Sequence, residues 1–184
     1  MKYTDHLETP RLTTRFLTQD IVPAWTEFFN DPVATRYNAY MNNGMSAAER
    51  ARDMVNTQLK RYKDNRLGMQ ALTVKETGEF IGMCGILVQD INYDRALIEV
   101  GYHLLPRFWG NGYATEAAQL FRDYGFENNF ADSIVSVIHP ENIPSKNVAL
   151  RNGMQLVETG VVFKGNEYDL FRITREEWEL LKKS

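Results

Sequence analysis

A glycine-containing segment between a predicted strand and a predicted helix carries the clearest chemical signal. Residues 104–115 read LLPRFWGNGYAT, with Gly110 and Gly112 directly before an amphipathic stretch. Backbone amides at the start of a helix point outward and carry partial positive charge, so they form an anion site that suits phosphate. Glycines let an anion approach the backbone because they lack Cβ atoms, and Arg107 adds a positive charge. The segment predicts a phosphate-binding loop, with a plain strand-to-helix turn as the alternative.

The spacing of this loop does not fit two common nucleotide motifs. The dinucleotide fingerprint G-x-G-x-x-G would need glycine at position 115, where Thr115 stands. The Walker pattern would need Gly-Lys-Ser/Thr after a four-residue gap, and the segment lacks it. A ligand other than NAD or ATP is therefore favoured, and a nucleotide-binding domain that uses the same loop remains the weaker alternative.

A carboxylate on the strand that leads into the loop is the candidate general base. Glu99 lies among apolar residues in the predicted strand RALIEVGYHL, residues 95–104. Apolar neighbours desolvate a carboxyl group and raise its pKa toward neutrality, which suits a base that works near pH 7. The alternative is a residue on an exposed sheet face or in a structural salt bridge. His103 shares the strand parity of Glu99 and is the next candidate base.

Other nucleophile and metal signals are weak. Cys84 lies in an apolar run, residues 81–88, and is predicted to be a buried strand residue. A single cysteine excludes a disulfide within the chain and favours a reducing compartment. No G-x-S-x-G motif supports a serine triad, and the three histidines are too scattered for a known metal-ligand spacing. We therefore expect no metal.

The elements that must position these residues follow from periodicity and capping signals. Capping boxes at Ser46 and Thr174 predict the starts of two helices. The full prediction is a strand at 11–18, a helix at 21–29, a loop at 30–45, a helix after Ser46, strands at 69–74, 79–88 and 95–104, a helix at 112–126, a strand at 134–138, a helix at 145–152, strands at 155–163 and 167–173, and a terminal helix. This order predicts an α/β (α+β) fold around a mostly antiparallel sheet, with residues 1–184 forming a single domain.

Composition narrows the class of protein. The chain has 184 residues, 43% of them hydrophobic and 24% charged, and a net charge of −3, which is typical of a globular protein without a global field for nucleic acid or anionic membranes. No apolar run approaches the ~18 residues that span a bilayer, and the N-terminus does not resemble a signal peptide, so the expected location is the cytoplasm. The basic cluster at residues 60–66 and Lys146 are expected to be solvated surface residues.

Four segments, in the family's own order, resemble motifs of the GNAT superfamily of acyl-CoA-dependent N-acyltransferases. Residues 107–114 (RFWGNGYA) resemble its R/Q-x-x-G-x-G/A pyrophosphate loop. Residues 9–17 (TPRLTTRFL), 30–32 (NDP) and 139–145 (HPENIPS) resemble the opening, the DPxV segment and the HPENxxS stretch of the branch that includes ribosomal-protein-alanine N-acetyltransferases. The resemblance covers residues 9–173.

The resemblance implies a mixed sheet of about seven strands, flanked by helices and splayed between its fourth and fifth strands, where acetyl-CoA inserts. Backbone amides of the loop would hold the pyrophosphate, and nearby strand and helix residues would flank the pantetheine. The implied cofactor-binding residues are Leu104, Arg107, Phe108, Trp109, Gly110, Asn111, Gly112, Tyr113, Ala114, Asn142 and Ser145.

The resemblance also implies the catalytic groups. A primary amine attacks the thioester directly, and the acidic residue at the position of Glu99 often serves as base. Many members protonate the leaving thiolate with a tyrosine seven residues after the equivalent of Asn142, but that position is Ala149 here. The resembled branch is read as using the serine of its N-x-x-S pattern, which is Ser145. A helix N-cap role suits Ser145 equally well, and the two roles are compatible.

The expected function is therefore that of an acetyl-CoA-dependent N-acetyltransferase, and the alternative is a non-catalytic acyl-CoA-binding regulatory module. The acceptor is expected to be a protein N-terminus or a small amine, without nucleic acid or membrane as partner. The loop 30–45 and the helix after it are expected to form the acceptor wall, with Tyr37, Tyr40, Asn42 and Asn43 as candidate residues. Neither the identity of the acceptor nor the choice between monomer and homodimer follows from the sequence.

Overall fold

The computed structural model describes residues 3–37, 44–93 and 95–183. Its strands are Leu12–Phe16 (β1), Met69–Val74 (β2), Phe80–Ile91 (β3), Arg95–Leu104 (β4), Ser133–Ile138 (β5), Gln155–Phe163 (β6) and Asn166–Thr174 (β7). Its α-helices are Val22–Asn30 (α1), Pro32–Thr35 (α2), Ala47–Lys63 (α3), Tyr113–Glu127 (α4), Ile143–Arg151 (α5) and Arg175–Leu181 (α6). Short 3₁₀ turns cover Gln19–Ile21 and Pro106–Phe108.

The strands form one sheet that opens in its middle. Their order is β1-β2-β3-β4-β5-β7-β6, and all neighbours are antiparallel except β4 and β5. The register of β3 with β4 runs from Gly82–Leu104 to Ile91–Arg95, whereas β4 and β5 share only the pair Glu99–Val135. The strands therefore separate on either side of that pair. The expected mixed sheet with an opening between the fourth and fifth strands is confirmed.

Local sequence signals explain where the main helices begin. Ser46 and Thr174 each form a complete capping box with the glutamate three residues on, so both predicted helix starts are confirmed. Gly112 is the N-cap of α4 and has a φ of 79°, a left-handed conformation that favours glycine. The α4 helix thus begins directly behind the candidate phosphate loop.

Helices cover both faces of the sheet. On one face, α4, α5 and α6 pack through Phe121, Val148 and Trp178 against Ile86 and Ile134. On the other face, α1 and α3 pack against the strands through a second core that contains Trp25, Phe28, Val55, Met83 and Leu87. Cys84 is fully buried within the first core, as predicted for a strand residue. In the parts of the chain that the structure describes, no helix is long and apolar enough to cross a membrane.

Two local predictions need correction. The predicted loop at 30–45 contains one helical turn, α2, capped by the side chain of Asp31, which accepts from Val33 N and Ala34 N. The helix predicted at 145–152 starts earlier, at Ile143, because the Asn142 side chain caps it by accepting from Ser145 N at 3.2 Å. Ser145 is therefore the third residue of α5 and not its N-cap.

Candidate active site

A cavity of about 1380 Å³ extends along the opening between β4 and β5. One end is lined by the start of α4 and the start of α5, and the other by α1 and α3. The opening of the sheet thus joins a glycine-containing loop on one side to a helical wall on the other. A thin, extended ligand fits this geometry better than a compact one.

The loop before α4 presents backbone to the cavity. Gly110 and Gly112 both line it, with φ angles of 78° and 79°. A Cβ built on Gly110 would meet nothing within 4 Å, so the space in front of this residue is open. Because the first amides of α4 have no partner within the helix, this end of the cavity suits an anion.

The remaining side chains of the loop hold its shape. Phe108, Trp109, Tyr113 and Ala114 line the cavity. The Trp109 indole donates to Leu104 O at 2.8 Å, and the Asn111 amide donates to the carbonyls of Phe108 and Trp109 at 3.2 and 3.1 Å. Both contacts brace the turn.

Two arginines flank the loop in different ways. Arg107 forms an ion pair with Glu27 of α1 and does not line the cavity. Arg11, at the start of β1, donates to Asn111 O at 2.9 Å and to both oxygens of Glu116. Its guanidinium lies 4.5 Å from the centre of the Tyr113 ring. Arg11 lines the cavity beside Gly112, and its charge is paired with Glu116 as that of Arg107 is paired with Glu27.

The edge of β4 directs backbone groups into the opening. Leu105 N donates to Ile81 O at 2.9 Å across the β3–β4 pair. Because backbone groups alternate in direction along a paired strand, those of Leu104, Tyr102 and Val100 face β5. The Ser136 hydroxyl donates to Val100 O at 2.8 Å. The backbone groups of Leu104 thus point into the opening, which is the orientation needed to pair with an extended ligand.

Glu99 lies at the single point where β4 and β5 still pair. Its side chain is 7% exposed. Oε1 accepts from Val137 N at 3.1 Å, and Oε2 accepts from Gln89 Nε2 at 2.7 Å. Burial raises the pKa of Glu99, and the hydrogen bonds from Gln89 and Val137, together with the charge of Arg61, oppose that rise. The group is a desolvated carboxyl at the junction of the two halves of the cavity.

Gly101 and His103 continue the face of β4 that carries Glu99. A Cβ on Gly101 would lie 3.2 Å from Met69 Cε and 3.8 Å from Glu99 Oε2, so a side chain there would press on Met69 beside the carboxylate. His103 packs edge-on against Phe28, with ring centres 5.6 Å apart. Burial lowers the pKa of His103 to about 4, so its imidazole is neutral at neutral pH. The shared parity predicted for Glu99 and His103 is confirmed by the unbroken β3–β4 register.

A pair of hydroxyl groups lies across the opening. Tyr102 Oη and Ser145 Oγ are 2.7 Å apart, and Tyr102 Oη also donates to Ser145 O at 3.1 Å. Because the single phenol proton of Tyr102 goes to that carbonyl, the Ser145 hydroxyl donates to Tyr102 Oη. Burial raises the pKa of Tyr102, so its phenol stays protonated. Both residues and Asn142 line the cavity.

Two further residues of this region have structural partners. Lys146 was expected to be a solvated lysine, but its Nζ lies 2.6 Å from the buried carboxylate of Asp169 on β7. His139 Nδ1 accepts from Glu141 N at 3.2 Å within the turn before α5. The His139 ring also contacts Tyr37, at 4.9 Å between centres. Lys146 is therefore engaged in an ion pair.

The structure describes part of the predicted acceptor wall and changes the place of one basic residue. Tyr37 lines the cavity, whereas Tyr40, Asn42 and Asn43 lie outside the described residues. Arg61, expected on a solvated face, lines the cavity instead. The sequence signal for this position is the four-residue spacing between Thr57 and Arg61. That spacing becomes informative only when it is known which side of α3 faces the cavity.

Comparisons with known proteins agree with this architecture. Residues 11–155 match the family model described as "Acetyltransferase (GNAT) domain". Over 157 residues the chain is 33% identical to the "Uncharacterized N-acetyltransferase p20" of Bacillus licheniformis, covering 85% of this chain and 84% of that protein.

Two solved structures are similar as well. An acetyltransferase from Agrobacterium tumefaciens superposes with a TM-score of 0.74 and 27% identity, over 91% of this chain and 92% of that one. A RimL ribosomal L7/L12 alpha-N-protein acetyltransferase, solved in complex with coenzyme A, has a TM-score of 0.71 and 17% identity, over 90% of this chain and 95% of that one. The second likeness shows a shared fold.

Proposed function

The chain belongs to the GNAT acetyltransferase family, and we propose that it transfers the acetyl group of acetyl-CoA to a primary amine by direct attack. The observation that carries this proposal is the continuous cavity along the β4–β5 opening, with a backbone anion site at one end and the desolvated Glu99 at its centre. Membership in a family of acetyltransferases favours an enzyme over a non-catalytic acyl-CoA-binding module. The proposed catalytic domain comprises residues 1–184.

Acetyl-CoA is proposed to lie with its pyrophosphate on the backbone amides of residues 110–114. Arg107 and Arg11 would add positive charge beside them, each held by its ion pair, and Asn111 would brace the loop. The pantetheine would extend along the edge of β4 past Leu104 and between the strands, with Asn142 on the opposite side. This orientation brings the thioester toward Ser145 and Glu99, because the cavity connects the loop to both residues.

Glu99 is proposed as the proton acceptor for the attacking amine. An amine must be neutral to attack, and at pH 7 only about one α-amino group in ten is neutral. The amine nitrogen forms a bond to the acetyl carbonyl carbon, and the ammonium proton passes to a Glu99 oxygen, directly or through a water. Each Glu99 oxygen already accepts one hydrogen bond and keeps a second lone pair for the proton. General base catalysis of this kind contributes about 10²–10⁴-fold.

Ser145 is proposed to stabilise the leaving thiolate. When the C–S bond breaks, the electron pair stays on sulfur, and the Ser145 hydroxyl can turn from Tyr102 to donate to it. Tyr102 still contacts the Ser145 carbonyl, so it fixes the start of α5 during that change. The pair thereby compensates for Ala149, which cannot donate a proton.

The decisive test is amine-dependent release of CoA. Purified protein is incubated with acetyl-CoA and a panel of amines, free thiol is titrated, and N-acetyl products are identified by mass spectrometry. Cys84 is the single cysteine and is buried, so the thiol signal of the folded protein reports CoA alone. Tight CoA binding with no amine-dependent release under any condition would identify a binding module instead.

A further inference from the structure

Helix α3 turns one face to the cavity along most of its length. Arg50, Met54, Thr57 and Arg61 all line the cavity. Their spacing of four, three and four residues keeps them on one side of an α-helix. This stripe is the wall that faces Glu99 on the side away from the phosphate loop.

The C-terminal end of α3 is fixed to the sheet. Gln58 Oε1 accepts from Met69 N at 2.9 Å, and the Tyr62 hydroxyl donates to Met69 O. Gln58 is buried and Tyr62 partly buried. Gln58 lies one turn before Arg61 and Tyr62 directly follows it, and both are anchored to the first residue of β2, so this turn of the helix is held in place.

Arg61 presents a guanidinium to the cavity without a carboxylate bound to it. The side chain is half-buried, and Nη1 makes a long hydrogen bond to Leu67 O at 3.4 Å. Among residues 3–37, 44–93 and 95–183, no carboxylate lies within 4.0 Å of its nitrogen atoms. Arg61 and Glu99 nevertheless lie near enough that the arginine lowers the pKa of the glutamate.

The wall made by α1 to α3 is basic, although the whole chain has a net charge of −3. Its charged lining residues are Arg36, Arg50, Asp53 and Arg61. Residues 38–43 (NAYMNN) contain no acidic side chain, so they add no negative charge to this wall. The arginines of this wall would repel a purely cationic acceptor such as a polyamine. Glu99 would attract its ammonium.

We propose that the acceptor is a small amine that also carries a carboxylate or a phosphate, and that Arg61 binds this anion while the amine faces Glu99. The inference rests on the proposed function and names the substrate class of the same site. A guanidinium binds both anions through paired hydrogen bonds. Glu99 and Arg61 in the same cavity match a molecule that carries an ammonium and an anion.

The test compares acceptors that differ only in the anion. Acetylation rates are measured for common L-amino acids against the corresponding L-amino acid amides, and for phosphoethanolamine against ethanolamine. In at least one pair we expect kcat/KM to favour the anionic member by roughly 10–100-fold, the value of a hydrogen bond to a charged group. Without a binding site for the anion, the amino acid amide should react faster than the amino acid. The reason is that a nearby carboxylate raises the pKa of the ammonium, so less of the amine is neutral. The two pairs distinguish a carboxylate from a phosphate.

The variant Arg61→Gln should abolish that preference by raising KM for the anionic acceptor. KM for the neutral acceptor and KM for acetyl-CoA should stay unchanged, and any change in kcat that follows from losing the Arg61 charge near Glu99 should be the same for both members of a pair. Lys63→Gln is the matched control, because Lys63 is an exposed cation on the same turn of α3. Preference of the wild type for neutral or cationic amines, or an equal loss for both members of a pair in Arg61→Gln, would overturn the inference. Acetylation of no amine at all would refute the proposed function, and the inference with it.

Discussion

Replacing Glu99 with glutamine isolates proton transfer from binding. The two oxygens of Glu99 accept from Val137 N and from Gln89 Nε2. A glutamine keeps Oε1 for the Val137 amide, and its new NH₂ can donate to Gln89 once the Gln89 amide rotates by half a turn. The variant therefore keeps both hydrogen bonds and the β4–β5 contact, but it has no carboxylate to accept a proton.

Stability should not fall in this variant at neutral pH. Burial raises the pKa of Glu99 in the folded protein, so the folded state binds the proton more readily than the unfolded state does. The stability that this carboxyl contributes is present at low pH and is lost as the pH rises through its folded-state pKa. Glutamine does not titrate, so the unfolding free energy of the wild type should decline relative to that of Glu99→Gln as the pH rises.

Turnover should fall by about 10²–10⁴-fold at neutral pH, with acetyl-CoA affinity unchanged. Raising the pH should recover part of the loss, because more amine is then neutral without help. The assay is a stopped thiol titration across pH, with calorimetry of CoA binding, and Glu76→Gln serves as the control at an exposed glutamate. A near-normal rate with an unchanged pH profile would show that Glu99 only joins β4 to β5, and His103 would become the next candidate base.

Three other substitutions separate binding from chemistry. Ser145→Ala should lower kcat by about 10–100-fold while leaving acetyl-CoA affinity nearly intact; equal losses in both would mark a binding role. Tyr102→Phe should give a smaller loss of kcat, because Ser145 keeps its hydroxyl, and a loss as large as that of Ser145→Ala would make Tyr102 the donor to sulfur. Gly110→Asn should weaken CoA binding by more than about tenfold, measured by calorimetry, since asparagine tolerates positive φ but its side chain enters the open space in front of the loop. Gly78→Asn, at a φ of 72° and also with nothing within 4 Å, is its control, and unchanged CoA affinity in a folded Gly110→Asn would contradict the anion site.

Local signals account for most of the fold. The strand Met69–Val74 and the strand Arg95–Leu104 have the bounds that alternation and composition predict. The capping boxes at Ser46 and Thr174 depend on residues three positions apart, so the sequence carries their full geometry. These predictions hold because the residues that form each strand pattern or capping box are close together in the sequence.

The start of α5 shows where local signals are ambiguous. Asn142 and Ser145 are both good N-cap residues, and only the folded backbone decides between them. Asn142 has non-helical dihedral angles, with φ at −82° and ψ at 69°, while Ser145 lies within the helix. Pro144 suits this outcome because proline is tolerated in the first turn.

Long-range pairing explains what the sequence could not reveal about the site. Tyr102 meets Ser145 across 43 positions. Arg11 meets Glu116 across 105 positions. Neither contact has a local signal, because the first depends on how the fold brings β4 to α5 and the second on how it brings the start of β1 to α4. Arg61 illustrates the same limit, since a basic cluster at a helix end looks solvated until a cavity is known to lie beside it.

The central claim is that acetyl transfer to an amine takes place in the cavity along the β4–β5 opening. Mass spectrometry with acetyl-CoA labelled in the acetyl group, in wild type and in Glu99→Gln, tests it most directly. The wild type should form labelled N-acetyl product and free CoA in equal amounts, and the variant should form both far more slowly at neutral pH. Binding of acetyl-CoA without any labelled amine product from the wild type would contradict the claim.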